Sequence, residues 1–167
     1  MIAIKQFITC FDIADYFIAF SNVTDTSITN LKLQKLVYYS QAWHLALYDK
    51  PLFQGSFQAW AHGPVMPKLY HQYQKLGWQP IKRADLDEEH LDKLEQKLGE
   101  KLTDFLEDVI SEYYGLTAHQ LETLTHSEEP WIAARMGLSV SAASNNPIKN
   151  KDMMEYYKKF AENSKSL

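Results

Sequence analysis

A chain of 167 residues, 46% hydrophobic and 23% charged, is long enough to bury its own core and too apolar to be disordered throughout. Its formal charge of −4 lacks the basic excess that lets a general nucleic-acid binder neutralise phosphates, so a nucleic-acid partner is disfavoured. Cys10 is the only cysteine, which excludes an internal disulfide and a cysteine-built zinc site and fits a reducing cytoplasm.

Residues 1–20 hold no basic region followed by a long apolar run, because Asp12 and Asp15 interrupt it. Neither a signal peptide nor a membrane span is expected there. A first helix is predicted over about 10–20. Thr9 caps it, Asp12 sits three residues on as in a capping box, and Ile13, Ala14, Phe17 and Ile18 form its apolar stripe. After a polar turn, Thr29 or Asn30 caps a helix over about 31–47. Leu33, Leu36, Val37, Ser40, Trp43 and Leu47 lie on one broad face, widened by Tyr38, Tyr39, Ala42 and Ala46, which marks this helix as central. Asp49, Lys50 and Pro51 end it.

Residues 57–62 alternate between Gly55 and Gly63 as a short strand or extended arm, followed by a turn at His62, Gly63, Pro64 and Val65. Pro67 suits the first position of a helix to about Leu76, closed by Gly77. Residues 87–114 read as one long helix or as two broken at Gly99. Thr117 and Gln120 form a capping box for a helix to about Thr125, Pro130 starts another through Arg135, 139–147 is a loop, and a last helix covers about 151–161. The predicted fold is mainly α: one compact domain over 10–163, a bundle around the 31–47 helix, with at most a small strand element near 57–62. Residues 1–9 are set apart as an N-terminal segment and 164–167 as a C-terminal tail.

Chemistry-bearing motifs are incomplete. His119 and His126 lie two helical turns apart without a third ligand, and there is no HExxH. Ser127 before Glu128 and Glu129 reads as a helix start, since no partnered histidine signature or GxSxG elbow accompanies it. The glycines form no phosphate-cradling loop. No catalytic residue, metal or cofactor is therefore expected. Four Trp, ten Tyr and eight Phe are the informative surplus. Tyr and Trp at a half-exposed surface anchor protein partners, although any single ring is more often packed between helices. The acidic run from Asp85 to Glu112 suits either a basic partner or plain solvation.

Three segments carry a resemblance. They are NLKLQKLVYYSQAWH at 30–44; PLF at 51–53 with FQAWAHGPVMP at 57–67 and Tyr70; and LE at 121–122 with LTHSEEPW at 124–131 and Arg135. In this order and spacing the chain resembles the Panacea domain, the SocA-like antitoxin domain often labelled phage-associated, over about 10–157. The resemblance implies a helical antitoxin of a bacterial or prophage toxin–antitoxin pair that binds its protein toxin directly. A proteolytic adaptor that hands the toxin to a protease is the alternative. Some members carry an added DNA-binding domain, for which this chain has no room. Physically the motif residues read as scaffold first: Leu33, Leu36, Val37 and Trp43 bury the central helix, Gly63 permits a tight turn, Trp131 closes one end of the core and Arg135 reaches a carboxylate. The expected partner-binding surface lies around Tyr39, Trp60, His62 and Tyr70.

Overall fold

The computed structural model describes residues 7–165; the outer parts of the segments set apart at the two ends, 1–6 and 166–167, lie outside the described residues. The chain is mainly helical. Helix α1 (Cys10–Val23) starts with the predicted box: Thr9 Oγ1 accepts from the Asp12 backbone N–H, and the Asp12 carboxylate accepts from the Thr9 N–H at 2.9 Å. Its stripe of Ile13, Ala14, Phe17 and Ile18 is buried, and the helix runs one turn beyond Phe20.

Helix α2 (Asn30–Tyr48) is capped by Thr29 and closed by Asp49 in the left-handed region, φ 57°. It touches α1 and the segments Gly63–Val65, Pro67–Tyr73, Glu100–Val109, Ala118–His126 and Asn150–Lys165. Because neighbours surround it, burial is not confined to one stripe: Leu33, Leu36, Val37, Tyr38, Tyr39, Ala42, Leu45 and Ala46 are buried, and so are Asn30, Gln34, Lys35, Ser40 and Gln41. Trp43 is only half-buried, and Leu47, expected on the buried face, is 47% exposed in the last turn of the helix.

The strand element is real and slightly larger than expected. Strand β1 (Phe57–Trp60) pairs antiparallel with β2 (Gly63–Val65) through Gln58 opposite Val65 and Trp60 opposite Gly63, so Ala61 and His62 form a two-residue turn. Pro147–Ile148, read as loop and helix approach, forms β3 against the other edge of β1, giving the order β2-β1-β3. Proline starts this edge strand, where a missing N–H costs no ladder bond.

Helix α3 (Pro67–Tyr73) tightens into a 3₁₀ turn, Gln74–Leu76, and Gly77 closes it at φ +56°. The 87–114 region is two helices, α4 (Glu88–Leu98) and α5 (Glu100–Val109), broken at Gly99 with φ +86°. A π turn, Ile110–Tyr114, finishes α5. Helix α6 (Ala118–His126) has the predicted Thr117–Gln120 box. Helix α7 (Glu129–Arg135) carries Pro130 in its first turn and ends at Met136 in the left-handed region, and α8 (Asn150–Lys165) lies along α2. Among the described residues, one contiguous hydrophobic cluster runs from Cys10 to Tyr157 through all eight helices and the sheet.

Candidate functional site

The polar residues of α2 explain why the second motif holds its shape. Asn30 Nδ2 donates to the Tyr70 carbonyl (3.0 Å), and Gln34 Nε2 donates to Asn30 Oδ1 (3.1 Å). Gln34 Oε1 accepts from the Met66 N–H (3.0 Å), Gln41 Nε2 donates to the Phe53 carbonyl (2.8 Å), and Gln41 Oε1 accepts from the Leu52 N–H (2.7 Å). Lys35 is fully buried and its Nζ donates to the Pro64 carbonyl at 3.2 Å. Irregular backbone cannot be buried unless its groups are paired, and α2 supplies those partners. Burial pulls the Lys35 ammonium down to about 7, with Glu122 acting in the opposite direction. Gly63 is fixed by the same lysine. At φ +99°, a Cβ there would stand 2.6 Å from Lys35 Cε and 2.9 Å from Thr125 Oγ1. The β1–β2 turn thus presses directly on α2 and α6.

On the solvent side of that turn the rings collect. Trp60 and Tyr70 meet edge-to-face with centroids 4.9 Å apart, and Trp60 Nε1 donates to Gln58 Oε1 (2.8 Å). His62 is exposed, with Nδ1 3.3 Å from both carboxylate oxygens of Glu122 on α6. Its ring stands edge-to-face with Trp78 at 6.0 Å, and Trp78 is 70% exposed just after the Gly77 corner. Beside them a shallow cavity of about 510 Å³ opens between Trp60, His62 and the loop at Ala143, Ser144 and Asn145. Three of the four expected partner-binding residues, Trp60, His62 and Tyr70, therefore share one surface. Trp78 joins them, although nothing in its sequence pattern singles it out beyond a glycine followed by a large ring. A larger apolar groove of about 900 Å³ lies at the far end of α2, near Tyr48, Phe53, Leu98 and Phe105, and includes none of the expected residues.

Tyr39, the fourth, points inward and is 0% exposed. Its ring stacks on Tyr113 with centroids 3.9 Å apart, and its hydroxyl donates to Glu128 Oε1 at 2.6 Å. Tyr157 on α8 donates to the same oxygen at 2.9 Å. Burial raises the Glu128 carboxyl pKa against these two donors, and burial likewise raises the pKa values of Tyr39 and Tyr157. Glu128 occupies the N-cap position of α7 but caps nothing, and Ser127 donates to the Leu124 carbonyl, so the expected serine cap is absent. Here the reward for pairing a buried carboxylate with two hydroxyls outweighs a local cap.

Arg135 differs from expectation in a related way. It reaches no carboxylate: Nη1 donates to the Ala59 carbonyl (2.9 Å), and Nη2 donates to the carbonyls of Ser139, Val140 and Ala142. It staples the loop after α7 onto β1. Trp131 is buried as expected, stacks on His126 (4.0 Å) and donates from Nε1 to the Trp60 carbonyl (2.9 Å), which fixes the strand end that carries the surface rings. Among the described residues no three His, Cys, Asp or Glu side chains converge as a metal site, and no helix is long and apolar enough to cross a membrane. The acidic residues of α4 and α5 mostly face solvent, with Glu89–Lys93 an i,i+4 pair.

Comparison with known proteins adds family evidence to this geometry. The model of a family described as "Antitoxin SocA-like, Panacea domain" matches residues 33–132, more than half of the chain. The chain is 30% identical over 112 residues to a protein named Antitoxin SocA from Caulobacter vibrioides (strain NA1000 / CB15N). That match covers 64% of this chain and 60% of the relative, so the chain spans less than two thirds of that protein's length. No solved structure matches.

Proposed function

This chain belongs to the SocA-like, Panacea-domain antitoxin family, and on that premise we propose that it neutralises a protein toxin by binding it directly, without turning over a small molecule. It works as one domain over 10–163, in the cytoplasm, and its partner-binding face is the surface at the β1–β2 turn. The observation that carries this reading is the mounting of the rings. Trp60 and Tyr70 stand half-buried, with the Trp60 carbonyl held by Trp131 and the Tyr70 carbonyl by Asn30. Gln34 and Lys35 hold the backbone between them at Met66 and Pro64, while His62 and Trp78 are exposed beside them. Aromatic anchors held rigidly lose little conformational freedom on binding, which is how a few side chains dominate an interface. Tyr39 belongs to the support of this face and not to its contact area.

The test is growth rescue against the product of the adjacent reading frame. The parent is expected to bind that product and restore growth. Trp60→Ala, Tyr70→Ala and Trp78→Ala are expected to stay folded by circular dichroism and to weaken both effects. Folded variants that rescue as well as the parent would place the interface elsewhere, and a parent that binds no neighbouring toxin would remove the antitoxin mechanism itself. Measuring the toxin's half-life with and without cellular proteases separates simple blocking from delivery to a protease.

A further inference from the structure

We propose that the surface at the β1–β2 turn takes a cationic side chain, an arginine guanidinium of the partner protein, as its anchor. The proposal rests on reading this surface as the partner-binding face and adds the chemistry of what it binds. Four rings and one carboxylate make up the patch. Trp60 and Tyr70 form one edge-to-face pair, His62 and Trp78 form another, and the Glu122 carboxylate lies 3.3 Å from His62 Nδ1 with 21% of its side chain exposed. Edge-to-face pairs turn the negative faces of their rings in different directions, and an indole face is the strongest ring partner for a cation.

The molecule's own cations leave these faces open. Among the described residues the cations that stand over rings use Tyr114, Phe11, Tyr48 and Trp131, and none stands over Trp60, Tyr70 or Trp78. An apolar partner residue would desolvate the Glu122 carboxylate without replacing its hydrogen bonds, which is unfavourable. A partner carboxylate would meet Glu122 and a chain of net charge −4. A cation is attracted by both the rings and the carboxylate. Of the two basic side chains the guanidinium fits better. It is planar enough to lie on an indole face, and its several N–H groups can also point toward a carboxylate beside the rings.

The proposal is tested without the toxin. In the chain with ¹⁵N-labelled indoles, Trp43, Trp60, Trp78 and Trp131 give four N–H signals. N-acetyl-arginine amide, whose side chain is its only charge, is titrated against N-acetyl-citrulline amide, which has the same shape and no charge. The arginine probe is expected to move the Trp78 and Trp60 signals saturably, with the Trp43 signal still. Citrulline is expected to bind at least about tenfold more weakly, Glu122→Gln to weaken the arginine probe roughly three- to tenfold, and Trp78→Ala to abolish binding. Trp78→Phe keeps a ring and is expected to bind in between, so a fold defect in the alanine variant cannot imitate the result. Equal shifts with both probes, or no saturable shift at Trp60 or Trp78, would overturn the proposal. If the probe fails while Trp78→Ala still destroys toxin binding, the surface is right and its cation chemistry is wrong. If the probe binds while Trp78→Ala leaves toxin binding intact, the cation site stands and the partner-face reading falls.

Discussion

The buried lysine makes the stability of this fold depend on pH in a predictable direction. Lys35 is fully buried, its Nζ has the Pro64 carbonyl at 3.2 Å, and burial pulls it from its ordinary 10.5 to about 7. In the unfolded chain the same amine holds its proton to above pH 10. Between those values the unfolded state binds more protons than the native state, so stability rises with pH, by about 1.4 kcal/mol per unit where the difference is a full proton. Allowing for half-protonation of the native lysine at pH 7, the gain from pH 7 to pH 9 is roughly 2 kcal/mol. Toward pH 9 and beyond, other groups act in the opposite sense: Cys10 and the buried tyrosines have raised values, so the native state keeps protons that the unfolded chain loses. Lys32, also lowered by burial, contributes in the same direction as Lys35. The comparison that isolates Lys35 is therefore the parent against Lys35→Met, a side chain of similar reach without the amine. Urea unfolding followed by tryptophan fluorescence at pH 7, 8 and 9 is expected to show a rise in the parent and a much flatter profile in the variant. A parent with no rise, or a variant that keeps the whole slope, would refute the account of Lys35.

Gly63→Ala is expected to cost about 2–4 kcal/mol, because it places a side chain at φ +99° and drives its Cβ against Lys35 and Thr125; an unchanged thermal midpoint would show that the turn has room to move. Tyr157→Phe removes one of two donors to the buried Glu128 carboxylate and is expected to lower stability by about 1–3 kcal/mol in urea, with Glu128→Gln making the effect of Tyr157→Phe smaller. Leu36→Ala empties a site with no exposure and is expected to cost about 2–5 kcal/mol, more than Trp43→Ala relative to side-chain size, since Trp43 is only half-buried; equal midpoints for parent and Leu36→Ala would contradict the packing.

What the sequence displayed was largely local. The boxes at Thr9–Asp12 and Thr117–Gln120, the proline starts at Pro67 and Pro130, and the breaks at Gly77 and Gly99 concern residues within one turn of each other, and the structure reproduces them. The centrality of α2 was also visible, because its apolar face was wider than a surface helix uses. Its polar residues were not. Asn30, Gln34, Lys35 and Gln41 look solvent-facing until the backbone they pair with is known, and that backbone belongs to segments 11 to 40 residues away. Tyr39 was misplaced for the same reason. Only the arrival of Glu128, 89 positions on, decides that this tyrosine turns inward while Tyr70 stays at the surface. Arg135 was expected to seek a carboxylate, but the loop it closes offers three carbonyls within seven residues. The motifs that carry the family resemblance are thus mostly scaffold. The surface they support is set by the rings that the scaffold leaves wholly or partly in water.

The double use of Glu128 has a bearing on how related chains can be recombined. Its two donors come from opposite sides of the family boundary: Tyr39 lies within the matched stretch 33–132, whereas Tyr157 lies 25 positions past its end. A chimera that kept residues 33–132 and took its last helix from a relative would inherit a carboxylate in the core and depend on the donor helix to present a hydroxyl at the same height. Without that hydroxyl the graft would be expected to dock poorly however well its apolar residues matched. Swaps confined to the loop at 136–146 leave both donors in place, and so offer a way to vary the rim of the β1–β2 turn surface while keeping the Glu128 cluster intact.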